Sequence, residues 1–289
     1  MRQFATAILA AALMLTAPAA AKENPPVSLA KTTKWEMNYD EDSCHLLAKF
    51  GEADDAMILN VTRFEPGSEF DVMLFGKMFA SDRAWIPVKV GFGDSPLDQR
   101  VGGAGLSAGK QPFVLFMNLR LDGKAVDQHD PQIAPVNTSV EARTTSATIA
   151  LPDKVYRLET GSLAAPLEAM RACTDSLLTS WGYDPAVQAA LLKPAAPKGS
   201  PANWVRSGDY PKEALRKEQS GIVKFRLDLD EAGKVIGCHI LRRFKPDPFS
   251  DLTCQLLTQR ARFKAALDVA GKPVKSFYIN TVRFVTPEY

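Results

Sequence analysis

"GDYPKEALRKEQSGIVKFRLDLDEAGKV", residues 208–235, runs a short charged helix into a strand of strict alternation. Pro211 suits a first helical turn, where its missing N–H would be unpaired anyway. The helix it opens is too short to persist on propensity, so Tyr210, Ala214 and Leu215 must pin it against something else. Gly221 lets the chain turn. Val223, Phe225, Leu227 and Leu229 then fall on one face, and Lys224, Arg226 and Asp228 on the other. That period of two describes a strand with one buried face. Gly233, in "DEAGK", suits a tight connection that needs positive φ.

Reading outward, "VIGCHILRR" (235–243) is the return strand, with a bulge expected at Gly237 where the alternation slips. Asp247 and Pro248 open a second helix as cap and first residue. Its stripe is Phe249, Leu252, Leu256, Arg260 and Phe263, with Leu257 beside it. Past Gly271-Lys272-Pro273, "KSFYINTVRFV" (275–285) is a last strand. The order helix, strand, strand, helix, strand predicts two helices on one face of a three-stranded antiparallel sheet.

Upstream the character changes twice. Residues 183–208 carry several prolines and little periodicity, and read as a Pro-rich linker that would reach roughly 60 Å if extended. Residues 22–182 read as a β-rich domain with a terminal helix. "MILNVTRFEPGSEFDVMLFG" holds two strands about Pro66-Gly67-Ser68. "IPVKVGFG" and "FVLFMNLRL" follow, and "SVEARTTSATIAL" (139–151) reads as an edge or half-exposed strand. A β-sandwich or barrel-like sheet is expected. "SLAAPLEAMRACTDSLLTSWG" is the terminal helix, capped by Ser162, ended by Gly182, and striped by Leu163, Leu167, Met170, Thr174, Leu177 and Trp181. The fold class is therefore α+β, with a small module at 209–289 after the β-rich domain.

Residues 1–21 have an early Arg2, an apolar run from Phe4 to Leu15, and Ala19 and Ala21 at the positions of a small-residue cleavage site. They read as a secretory signal peptide, the alternative being an uncleaved inner-membrane anchor. Export makes disulfides the expected state of Cys44, Cys173, Cys238 and Cys254. Of the three possible pairings, locality favours Cys44–Cys173 and Cys238–Cys254, one in each domain. The net charge of +2 gives no case for a nucleic-acid partner.

Catalytic chemistry is not visible. His45, His129 and His239 are scattered. His45 and His239 each follow a cysteine assigned to a bridge, and no base–nucleophile pair is apparent. "GFGDSPLDQRVGGAGLSAG" lacks the phosphate-loop pattern. No metal-ligand spacing occurs, and the acidic clusters "DEDSC" and "EADD" read as solvated turns. No enzyme activity, cofactor or metal is expected.

Taken together, Tyr210-Pro211, Gly221, the alternating strand, Asp230 with Gly233-Lys234-Val235, Arg262-Phe263, Gly271 and Val282-Arg283-Phe284 resemble the C-terminal domain of TonB-type energy transducers. The resemblance covers residues 209–286. It implies a periplasmic module of Gram-negative bacteria that binds outer-membrane TonB-dependent receptors and serves energy-coupled transport. It further implies that a receptor segment adds as a strand at the sheet edge. By position that edge is the last strand, with Phe277, Ile279, Val282 and Phe284 as partner-binding candidates. Tyr210, Pro211, Gly221, Gly233 and Phe263 are the structural motif. Transducers of this type touch the inner-membrane proteins ExbB and ExbD through an uncleaved N-terminal helix that typically holds a histidine. Residues 1–21 contain no histidine, so that contact is not expected, and a soluble accessory binding protein fits better than a full transducer. The alternative is an envelope structural or interaction protein that uses the same fold for another partner.

Overall fold

The computed structural model describes residues 25–97, 102–124, 134–244 and 247–286. The signal-peptide reading and His129 lie outside them. In chain order the first half holds β1 (Val27–Ala30), β2 (Glu36–Tyr39), β3 (Cys44–Phe50), β4 (Met57–Arg63), β5 (Phe70–Phe75), β6 (Trp85–Ile86), β7 (Lys89–Phe92), β8 (Gly102–Leu106), β9 (Pro112–Leu119), α1 (Thr138–Arg143), β10 (Ser146–Ala150), β11 (Val155–Glu159) and α2 (Ala164–Ser180). β4 and β5 form a hairpin about Pro66-Gly67-Ser68, as the alternation predicts. One sheet runs β2-β3-β4-β5-β9-β8-β6 and a second runs β1-β11-β10-β7. Leu46, Leu59, Val72 and Val114 from the first meet Leu29, Val90, Ile149 and Leu158 from the second in one core. α2 closes that core with Leu167, Met170, Cys173 and Leu177. Cys173 is bonded to Cys44, whose Cα lies 6.0 Å away.

One strand expectation needs correction. "SVEARTTSATIAL" is not a single edge strand. Its first part is α1, capped by the Asn137 side chain on the Ser139 N–H. Its second part, β10, lies between β11 and β7 with Ala147 and Ile149 fully buried. The β-branched, polar composition of the segment hid both the cap and the burial.

The second half adds α3 (Pro185–Ala189), β12 (Ala196–Pro197), α4 (Lys212–Arg216), β13 (Gly221–Leu229), β14 (Val235–Arg242), α5 (Ser250–Arg260), β15 (Phe263–Lys264), β16 (Ala266–Leu267), β17 (Pro273–Val274) and β18 (Ser276–Phe284). Three strands form an antiparallel sheet in the order β14-β13-β18. Val223, Phe225, Leu227 and Leu229 put their side chains under α4 and α5, in contact with Ala214, Phe249 and Leu257. α5 starts at Ser250 with Phe249 in the cap position, two residues later than Asp247 and Pro248 suggest; Asp247 still accepts from the N–H groups of Phe249 and Ser250 just ahead of it. α5 stops at Arg260, so Phe263 reaches the core from β15 rather than from the helix. Cys238 and Cys254 are bonded and tie β14 to α5.

Residues 183–208 are folded along this second sheet rather than extended. β12 pairs with β15. Gln188 bonds Ser276 and the Lys275 carbonyl. Trp204 is buried against Phe263 and Tyr278. Proline content predicted reach, but Trp204 is an apolar anchor whose burial keeps the segment down.

The polar face of β13 is also covered, against the expectation of a single buried face. Lys224 is 6% exposed and Arg226 is 4% exposed. Both point at the outer face of the seven-stranded sheet. Asp71 of β5, itself 2% exposed, accepts from Lys224 at 3.0 Å and from Arg242 of β14 at 2.6 Å. Arg226 reaches Asp42 at 3.2 Å and stacks over Trp181 at 3.9 Å. Beside these ion pairs Phe113, Leu115 and Met117 of β9 meet Ile222 and Phe244. The two sheets thus dock through a mixed seam in which each buried charge has a partner, as burial demands.

Candidate functional site

β18 pairs with β13 over its whole length, from Gly221↔Phe284 to Leu229↔Ser276. It is the outermost strand of its sheet, with no second strand partner among the described residues. An edge of this kind offers a row of backbone donors and acceptors to a guest strand.

The edge does not face open solvent along its full length. Phe277–Thr281 line a cavity of about 470 Å³ whose opposite wall is the β4–β5 connection, residues 64–69, and whose end includes Pro194 and Ala195. The volume is within the usual range for ligand pockets. The wall is held in place: Ser68 Oγ accepts from the Val136 N–H at 2.8 Å. Arg120, also lining the cavity, is fixed by Asp122 and by the Ala134 carbonyl. Of the charged lining, Lys224 is committed to Asp71. Burial pushes the Glu65 carboxyl up to about 7, against the pull of Lys224. Partial desolvation also raises Glu69, against the pull of Arg120 and Lys224, although that residue stays exposed. Asp71 behaves oppositely. Burial works to raise its carboxyl, but Arg242, Lys224 and the Asn118 N–H together outweigh it and hold the group below its ordinary value.

The residues singled out in the sequence divide by face. Ile279 lines the cavity. Phe277 lines it too, and packs on Trp181 and Tyr183 at 5.8 and 5.4 Å. Val282 and Phe284 turn to the helices, Phe284 stacking on Phe249 at 4.3 Å. Their side chains are core, and only their backbone is at the edge. Tyr210 packs edge-on to both Phe249 and Phe284, and its hydroxyl donates to the Gln219 carbonyl at 2.6 Å. Pro211 precedes α4. Gly221 is needed for close approach rather than for a turn: a Cβ there would lie 2.5 Å from the Phe249 ring. Gly233 has φ of +75°, and a Cβ would also strike the Phe263 carbonyl. The register slips next to Gly237, as expected of a bulge.

The described histidines make polar contacts within the chain. His45 bonds Ser43 and Thr62, and burial lowers its pKa. His239 bonds Asp228 at 2.8 Å. Among the described residues no group of His, Cys, Asp and Glu is arranged to hold a metal ion. None of their helices is long and apolar enough to cross a membrane. Glu65 and Glu69 were missed at the sequence level. They sit in a turn signal, "EPGSE", which reads as solvated until a second sheet faces it.

No curated protein matches the chain. Residues 207–286, the segment that carries β13, β14, α5 and β18, match the family described as Gram-negative bacterial TonB protein C-terminal, and that segment is a domain of this family.

Proposed function

We propose that this is a non-enzymatic periplasmic protein that captures an extended segment of an outer-membrane TonB-dependent receptor, or of the associated transport machinery, at the edge of β18. The single observation that supports this most is the position of β18. It is the outermost strand of a TonB-family sheet, and its edge opens into a cavity of about 470 Å³. Backbone pairing would supply affinity, and alternate side chains would supply selectivity. Ile279 is the β18 side chain best placed for selectivity, because Val282 and Phe284 are spent on the core.

The same reading assigns residues 22–182 the role of a fixed partner unit, docked on the sheet through Asp71 and Asp42. It treats residues 183–208 as a strap between the two. An envelope interaction protein that uses the edge for a different extended peptide is the second reading, favoured by the β4–β5 wall, which narrows the space beside β18.

The test is calorimetric titration of the chain, residues 22–289, with peptides from the periplasmic ends of TonB-dependent receptors. Each peptide is compared with versions N-methylated at successive amides. An added strand uses alternate N–H groups, so methylation should abolish binding at every second position. Equal tolerance at all positions would remove strand addition as the mode.

A further inference from the structure

The acidic wall of the cavity has a consequence for the guest, and this inference rests on the reading of β18 as a capture edge. Two of the cations around the cavity are answered by a direct partner within the chain: Lys224 holds Asp71 and Arg120 holds Asp122, whereas the buried Arg63 Nε has no hydrogen-bond partner. Glu65 and Glu69 have no such direct partner, although Lys224 acts on both through space and Arg120 on Glu69. No hydrogen bond or ion pair joins either of them to another described residue.

Glu65 is the stronger of the two. It is part-buried, it faces the cavity from the wall opposite β18, and its charge reaches the Tyr278 phenol across that space. An unpaired carboxylate in such a place costs free energy that a cationic guest would recover. We infer that the guest segment carries a lysine or arginine side chain, placed in the strand register so that it pairs with Glu65.

Recognition of this kind is proton-linked. The groups facing Glu65 are Lys224 on β13, Glu69 on its own loop and Tyr278 on β18, with Asp71 on β5 and Arg120, just past the end of β9, also lining the cavity. Lys224 favours the ionised carboxylate, while Glu69 and burial favour the protonated form. A cation in the cavity joins Lys224 on the ionised side. Below the free-chain midpoint the guest must displace a proton, so affinity rises with pH and levels off above about 7.

The test uses a phage-displayed library of random ten-residue peptides selected at pH 8 on the immobilised chain, residues 22–289. The expected result is enrichment of Lys or Arg at one register position. A selected peptide should bind Glu65→Gln about tenfold or more weakly at pH 8, the loss of one charge-assisted contact. Its affinity for the unaltered chain should fall several-fold from pH 8 to pH 6, and its affinity for Glu65→Gln should not. Peptides that bind the β18 edge with no basic preference, or that bind Glu65→Gln equally well, overturn this inference and leave the capture reading standing. Recovery of no edge-binding peptide overturns both.

Discussion

Replacing Asp71 by alanine removes the one carboxylate that answers two buried cations. Lys224 and Arg242 lie 3.0 and 2.6 Å from it, and all three side chains are at most one-tenth exposed. At an effective dielectric near 20, each attraction is worth roughly 5–6 kcal/mol. Much of that is cancelled in the native protein by desolvation of the three ions, which costs several kcal/mol each. Once Asp71 is gone the cations still pay desolvation and receive nothing, and they repel one another. Breaking a buried pair in this way costs about 3–5 kcal/mol, and the Asn118 N–H at 2.9 Å also loses its acceptor. Urea unfolding at pH 7, followed by tryptophan fluorescence and far-UV circular dichroism, should therefore show a loss of about 3–5 kcal/mol. The transition should split, because the seam between the sheets weakens more than either core. Combining Asp71→Leu with Lys224→Met and Arg242→Met should restore most of the stability, since an apolar replacement of a whole ion cluster is often neutral. A loss under about 1 kcal/mol for Asp71→Ala would place the pair in the range of exposed ion pairs and refute the buried seam. The pH dependence has a definite sign. The folded-state pKa of Asp71 is depressed, so its contribution is complete above the ordinary aspartate pKa of about 3.9 and is lost as pH falls through the folded value.

Glu65 has the opposite linkage. Its folded pKa is raised from 4.5 to about 7, so the folded state holds a proton that the unfolded chain has released. Stability should decline as pH rises between those values, and Glu65→Gln should abolish that part of the slope in a series of urea titrations. Reduction, or replacement of Cys238 and Cys254 by serine, should cost about 3 kcal/mol for a loop of this length, and loss of Cys44–Cys173 about 4–5, both read from unfolding midpoints. Peptide mapping without reductant should recover the same two pairs. Gly221→Ala should cost about 1–3 kcal/mol by forcing Phe249 aside. Gly271→Ala, at φ of +75° with open space around it, should cost only the backbone term of about 1–2 kcal/mol.

Much of the second sheet was legible because its information is local. Alternation at Val223, Phe225, Leu227 and Leu229 sets both the strand and the face that meets the helices. Gly233, Asp247 and Gly182 act on their own neighbours, and each performs the backbone or capping role its residue type suits. Locality also carried the pairing of Cys238 with Cys254, since both lie in one small module.

The sequence by itself determined the three long strands β13, β14 and β18, which face of β13 is apolar, and that an even set of cysteines would be joined. Only the tertiary structure decided that Lys224 and Arg226 are buried, that Trp204 holds residues 183–208 against the sheet, and that Glu65 faces the edge of β18. The reason is that a charged side chain reads as solvated until a counter-charge is brought to it. Here Asp71 lies more than a hundred residues before Lys224, and nothing in either stretch alone encodes their meeting. Whether a strand is central or outermost is likewise a property of its neighbours, because both kinds alternate alike.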